Sequence, residues 1–375
     1  MIVGGIALLL ALVLRPVGQV LGWIAWVFLT YTIEMVRLTA RVPFASIPVK
    51  MEGWMVWGYY GLLAGLTWWF NQTKERRREL WDRVTGALRS HLQTRMIAGV
   101  TVVLLVMAFA FWHGLPDGRL HVVFLDVGQG DAIFIETPSG KQVLIDGGPS
   151  ETQVLAQLGN QMGFWDRTLD LVVLTHPDAD HVNGLVPVLE RYQVAAVLHR
   201  RIELDSETYA YWLALVEAEG AAVYDGQAGL SLTLDPADAR RPGLEMTVLH
   251  PGAEEWEGAN DNSVVTRLTY GSVSLLLTGD IEAEVEEELV GAGSIRESTL
   301  LKLAHHGSCG SSTPEFLDAV DPEVVVVSVG ADNHFGHPCA EVLERLDGLP
   351  VFRTDEHGAV EIISDGTRVW VEVER

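Results

Sequence analysis

The chain has 375 residues, 48% of them hydrophobic, with 26 Lys and Arg against 50 Asp and Glu, a net charge of −24. That length accommodates two domains, and the acidic excess argues against a broad basic groove for nucleic acid. Two cysteines, Cys309 and Cys339, exclude a disulfide-dense scaffold and a cysteine-type zinc site.

Charge divides the chain near residue 118. Residues 1–118 hold 11 Lys/Arg and 6 Asp/Glu, whereas 119–375 hold 15 and 44. The first part reads as a membrane region and the second as a globular domain. Met1–Leu14 is apolar but short, without the basic start or the cleavage site of a secretory signal. It reads as the back half of a spanning helix. Val17–Leu38 begins apolar and then carries Glu34 and Arg37, which leaves a spanning and an interfacial helix both open. Gly53–Phe70 and Met96–Trp112 are uncharged and are predicted to cross the bilayer as α-helices, the former anchored by Trp at both ends. The basic loop Asn71–Arg95 between them is placed in the cytoplasm by the positive-inside rule. Everything after His113 is then expected outside the cytoplasm.

From His121 onward short strands alternate with helices. His121–Leu125, Ala132–Glu136 and Gln142–Ile145 are strand-like, and a helix is predicted around Glu151–Met162. Leu169–Leu174 reads as a buried strand. Leu185, Val188 and Leu189 share one face of a helix over Leu185–Tyr192, in which Pro187 falls in the first turn. Val264–Tyr270 and Val273–Thr278 form a hairpin around Gly271-Ser272, and Val324–Val329 is a further buried strand. Two sets of strands with interspersed helices predict an α/β protein, an αββα sandwich.

The chemistry gathers where these strands end. Thr175–His181 (Thr-His-Pro-Asp-Ala-Asp-His) places His176, Asp178, Asp180 and His181 within six positions. Imidazoles and carboxylates crowded so closely lose hydration or repel unless a cation lies among them. Asp146 follows Gln142–Ile145, where a turn-forming Asp-Gly-Gly is the plainer reading. Asn260-Asp261-Asn262-Ser263 precedes the hairpin and also reads as a polar loop. Asp280 ends the second hairpin strand, where it either binds a metal or caps a helix over Glu282–Val290. His305 and His306 follow Leu300–Ala304.

Together these stations resemble the metallo-β-lactamase superfamily, with its αββα fold and its loop of the form His-x-His-x-Asp-His. The resemblance implies two divalent metal ions. His176 and Asp178 would hold one, Asp180 and His181 the other, and Asp280 would bridge them. One of His305 and His306 would complete the second site, and Asp146 would steady a ligand. Asn260 or Asn262 stands where the family has a His, with His250 a weaker candidate. If Asn262 fills that place beside Asp178, the first site is oxygen-rich and weaker, which shifts the preference between Mn²⁺ and Zn²⁺ toward Mn²⁺ or leaves that site partly empty.

Longer strings narrow the resemblance: Phe-Leu-Asp-Val-Gly-Gln-Gly-Asp-Ala (124–132), His-Pro-Asp-Ala-Asp-His (176–181), Asn-Ser-Val-Val (262–265), Leu-Thr-Gly-Asp (277–280), Ala-His-His-Gly-Ser (304–308) and Ser-Val-Gly (328–330) followed by His-Phe-Gly-His-Pro (334–338). They are similar to the C-terminal domain of the ComEC family of DNA-uptake proteins, and the apolar region to the end of that family's membrane part. Complete members carry more spanning helices and an OB-type domain upstream, so a C-terminal fragment or a split gene product is expected. The resemblance implies a membrane-anchored nuclease that degrades one strand of single- or double-stranded DNA during uptake, with membrane lipid and the remaining channel components as partners. Asp180, His305 and His337 are the expected catalytic residues. Lys302, Gln129 and Asp131 are left between support of the site and plain surface roles. A hydrolase for another phosphodiester and a non-catalytic docking element of the channel remain as alternatives. If the loops after His305 and His337 border one site, Cys309 and Cys339 can pin them together.

Overall fold

A computed structural model of the chain describes residues 15–40, 53–89, 100–104, 116–163, 165–239 and 241–375. In the N-terminal part these include the helices α1 (Arg15–Ala40), α2 (Gly53–Phe70) and α3 (Lys74–Arg89), and residues 100–104 are helical as well. The expected basic loop is thus mostly helix, as suits a Lys/Arg/Glu/Leu-rich segment of good helix formers. α2 has the predicted bounds, and Trp69 near its end meets Trp81 of α3 edge to face at 6.3 Å. Among the described residues no helix is long and apolar enough to cross a membrane. In α2 the reason is composition: four Gly, four Trp and two Tyr among 18 residues dilute the aliphatic content. Met1–Leu14 and most of Met96–Trp112 lie outside the described residues.

The rest is a sandwich of two mixed sheets. The first has β1 (Leu120–Phe124), β2 (Ile133–Glu136), β3 (Gln142–Ile145), β5 (Leu171–Leu174), β7 (Ala196–His199) and β8 (Ala222–Asp225), with β16 (Val360–Ser364) and β17 (Val369–Val373) beyond β1. A two-stranded ribbon of β4 (Thr168–Leu169) and β6 (Gln193–Val194) lies apart from it. The second sheet has β9 (Ser231–Asp235), β10 (Leu244–His250), β11 (Val265–Tyr270), β12 (Val273–Leu277), β13 (Leu300–Lys302), β14 (Val324–Val327) and β15 (Val351–Arg353).

Each sheet is antiparallel in one half and parallel in the other. β3, β5, β7 and β8 run parallel, as do β12, β13, β14 and β15. Parallel neighbours need crossover connections, and helices supply them. α4 (Gln153–Gln161), α5 (Ala179–Val182), α6 (Leu185–Leu189) and α7 (Glu207–Glu219) serve the first sheet. α8 (Ala283–Gly291), α9 (Pro314–Val320) and α10 (Ala340–Arg345) serve the second.

Strand alternation creates three apolar layers. Val122 and Phe124 of β1 face Leu275 and Met246 in the core between the sheets. Val123, between them in sequence, packs outward with Val154, Leu158 and Trp212 beneath the first helix layer. Leu301 and Val325 pack with Val285, Phe316 and Val342 beneath the second. This is the predicted αββα arrangement, in which both central sheets are covered. The sequence reading did not name β16 and β17, which return the end of the chain to β1.

At that closure His121 of β1 lies between Glu361 of β16, 2.7 Å from Nδ1, and Asp117, 3.1 Å from Nε2. The hydrogen bond to Glu361 outweighs burial and raises the His121 pKa to about 9. Because the folded value lies above the ordinary 6.5, the stabilisation is complete below pH 6.5 and is lost as pH rises through about 9. After allowance for solvent screening, about 1 kcal/mol is at stake. Urea midpoints should therefore fall more between pH 6 and 10 in the wild type than in His121→Gln. Parallel pH profiles would contradict this role.

Candidate metal centre

The parallel halves place their carboxyl ends on one rim, where connecting loops bring distant residues together. Asp146 follows β3, and Thr175–His181 follows β5 and runs into α5. Asp280 follows β12, and His305 and His306 follow β13. The loops meet because glycine permits it: a Cβ on Gly130 would lie 2.2 Å from the Asp180 carbonyl oxygen. Asp146, His305 and His306 have φ of 58°, 48° and 53°, a left-handed conformation that costs a non-glycine residue energy and concentrates at functional sites.

Asp180, His181, Asp280 and His306 converge, with one ligand atom from each within 4.8 Å of the others. The His181 Nδ1 is 2.8 Å from Asp146 Oδ2, and its Nε2 is 3.2 Å from Asp280 Oδ2. Asp146 is itself fixed by the Thr175 amide, which donates at 2.8 Å, and by the Thr175 hydroxyl at 2.7 Å. With its Nδ1 proton on Asp146, His181 turns the Nε2 lone pair toward Asp280. His306 is set in the same way. Its Nδ1 donates to the Ser328 carbonyl at 2.8 Å, and its Nε2 is 3.2 Å from Asp280 Oδ2 and 3.4 Å from Asp180 Oδ2.

Two imidazole nitrogens and two carboxylates thus face one point, a donor set that matches a divalent cation. The buried His306 Nε2 and His176 Nε2 have no hydrogen-bond partner, as ligand atoms would not need one. The response to protons shows the same demand for positive charge. Burial opposes a charged ring at His306, but Asp280 and Asp131 outweigh it and raise its pKa to about 9. At His181 burial is likewise outweighed, by Asp280 and Asp146, and the pKa lies well above the ordinary value. Burial alone would raise the carboxyls of Asp280 and Asp180, yet the neighbouring His306 and His181 hold both below the usual range.

Lys302 was left undecided by its sequence; in the structure it is fully buried. Its Nζ pairs with Asp131, donates to the Gly279 carbonyl at 3.0 Å and lies 3.5 Å from Asp280 Oδ1. Asp280 therefore has one oxygen toward the lysine and the other toward the two histidines. It caps no helix: α8 begins at Ala283 with Glu282 in the N-cap position.

The remaining candidates spread around this cluster. The His176 ring is 4.0 Å from that of His181, and its Nε2 is 3.8 Å from Asp178 Oδ2. Burial, then the neighbouring His181, hold its pKa well below the ordinary value. Asp178 is half exposed and stands at the N-cap of α5 without capping it. Asn262 does not join these residues. Its amide accepts from the Trp256 backbone and donates to the carbonyls of Trp256 and Gly258, so it staples its own loop. His250 bonds the Asp261 carbonyl at 2.7 Å, away from the cluster. The residue the sequence reading passed over is Ser263, whose hydroxyl is 3.2 Å from His176 Nδ1 and accepts from the Asp280 amide at 3.1 Å. Its sequence signal is the string Asn-Ser-Val-Val (262–265), directly before the hairpin.

His305 turns outward instead, with Nε2 3.9 Å from Asp280 Oδ2 and its ring 5.6 Å from that of His337. Cys309 and Cys339 form a disulfide that joins their two loops.

Because Asp146 sets the His181 tautomer, Asp146→Asn should offer an amide N–H to Nδ1 and move the ring proton to Nε2. Metal affinity should fall about 10- to 100-fold with the fold retained, measured by competition against a chromogenic chelator. Unchanged affinity would remove this role.

The family model of the metallo-β-lactamase superfamily matches residues 125–331. The chain is 28% identical over 291 residues to ComE operon protein 3 of Bacillus subtilis, covering 73% of this chain and 36% of that protein. It is 30% identical over 270 residues to competence protein ComA of Neisseria gonorrhoeae, covering 69% and 35%. It spans about a third of the length of these relatives. Among solved structures it is similar to the metallo-β-lactamase fold protein YhfI from Bacillus subtilis, at 14% identity and a TM-score of 0.42, over 68% of this chain and all of that one.

Proposed function

The chain belongs to the metallo-β-lactamase superfamily, and from that membership we propose that it is a membrane-anchored, metal-dependent nuclease that degrades one strand of DNA during uptake. The convergence of Asp180, His181, Asp280 and His306 is the observation that carries this reading. The similarity to competence proteins supports DNA as the substrate and the remaining channel components as partners. The uncharged run Met96–Trp112, preceded by a basic segment, supports a lipid anchor with residues 119–375 outside the cytoplasm.

In this reading Asp180, His181, Asp280 and His306 hold one divalent ion, Mn²⁺ or Zn²⁺. His176 and Asp178 hold a second, more weakly, because Asn262 supplies nothing to it. Such ions lower the pKa of a bound water and polarise a phosphodiester. The protein's own residues supply orientation. Asp146 and Ser328 fix the two histidine rings, and the buried Lys302 restrains Asp280. His305 and His337 stand at the outer side, where either ring can contact the phosphate or the departing oxygen.

The acidic surface weakens attraction for a polyanion and lends some support to a smaller phosphodiester as substrate. Purified full chain with Mn²⁺ should cleave single- or double-stranded DNA, and Asp180→Ala should lower the rate about 10³-fold. No cleavage of DNA with Mn²⁺, Zn²⁺ or Mg²⁺ would sink the nuclease reading.

A further inference from the structure

Phe335, in the loop between β14 and α10, is the most exposed large apolar side chain among the described residues of 116–375, at 71%. Isolated exposed apolar residues are ordinary on protein surfaces, but the setting of this one is unusual. One face of the phenyl ring lies over His337, centroids 5.8 Å apart and planes within 12°. His337 in turn is 5.6 Å from His305, whose Nε2 is 3.9 Å from Asp280. A row of rings therefore leads from the exposed phenyl to the metal cluster.

The loop that carries the ring is fastened at its base. The Asn333 amide donates to the carbonyls of Gly330 and His337 at 2.8 and 2.7 Å and accepts from the His337 amide at 3.1 Å. Two residues beyond His337, the Cys309–Cys339 disulfide ties this segment to the His305 loop. At the tip there is open space: a Cβ on Gly336 would meet nothing within 4 Å. An aromatic face held in place and open on one side binds a flat partner at low entropic cost.

We propose that Phe335 is a base-stacking residue: its outer face receives an unpaired nucleobase next to the phosphate held at the cluster. The assignment rests on the nuclease reading and narrows its substrate to a single strand. In a duplex the faces of each base are covered by neighbours; in a single strand they are available to an aromatic ring, whatever the sequence. Stacking also provides attraction that does not depend on charge, which an acidic domain needs in order to hold a polyanion.

The test is equilibrium binding of fluorescein-labelled oligothymidylate, and of an equally long strand of abasic sites, to the full chain in Ca²⁺. Cleavage of both strands in Mn²⁺ is followed separately. Phe335→Ala should weaken oligothymidylate binding about 5- to 150-fold. Phe335→Trp should retain that binding, and the abasic strand should be bound equally by all three proteins. DNA cleavage together with wild-type binding by Phe335→Ala would overturn the stacking role and leave the nuclease reading standing. The same loss on the abasic strand would also overturn it, because a base is then not what the ring recognises. Base-dependent binding without any cleavage would support the stacking role and reject the nuclease reading.

Discussion

Asp280→Ala is expected to abolish tight metal binding and to lower hydrolysis by about 10³-fold or more. Asp280 Oδ2 lies 3.2 Å from both His181 Nε2 and His306 Nε2, so its loss removes the negative charge around which both histidines are arranged. Metal participation contributes several kcal/mol to transition-state stabilisation, and each 1.36 kcal/mol is tenfold in rate. Stability should respond differently from activity. Without Asp280, His181 and His306 lose the carboxylate that favours their charged forms, so the variant should fold yet fail to retain metal on desalting. Single-turnover cleavage and elemental analysis of one preparation separate the two effects. A variant that keeps its metal and a tenth of its activity would show that Asp280 is dispensable.

Lys302→Met is expected to destabilise the domain by about 3–5 kcal/mol. The ammonium is fully buried and neutralises Asp131 and Asp280. Burial penalises its charged form, yet Asp131 and Asp280 outweigh that penalty and raise its pKa. Methionine leaves the buried Asp131 without its partner, the circumstance in which breaking an ion pair is most costly. In a domain of this size the melting temperature should fall by roughly 10 °C. The double variant Asp131→Asn with Lys302→Met should recover part of the loss, because both charges leave together. A single variant within 1 kcal/mol of wild type, or a double variant worse than the sum of the two singles, would contradict the coupling.

Much of the site could be read in the sequence because its residues follow strands, and strands declare themselves by short apolar runs. Asp146, His176 to His181, Asp280 and the His305-His306 pair all stand directly beyond β3, β5, β12 and β13. The choice between His305 and His306 could not be made from sequence, since both are adjacent and both adopt left-handed backbone. The carbonyl of Ser328, just beyond β14, turns the His306 ring toward the cluster. Asn262 misled for a related reason: its position before the hairpin was right, but the backbone of residues 256–258 curls around its amide. The direction of Lys302 was hidden because β13 is three residues long and buried on both faces, which erases the alternation that tells inside from outside. Cys309 and Cys339 were expected to pair only if their loops bordered one site, and the convergence of β13 and β14 supplies that condition.

The cluster of Asp180, His181, Asp280 and His306 is expected to hold a divalent metal. Elemental analysis of the purified full chain, loaded with Mn²⁺ or Zn²⁺ and then desalted, tests it most directly. One ion per chain should remain after desalting, with a second present only at excess metal. Retention of no ion, or equal retention by the Asp280→Ala variant, would contradict the account.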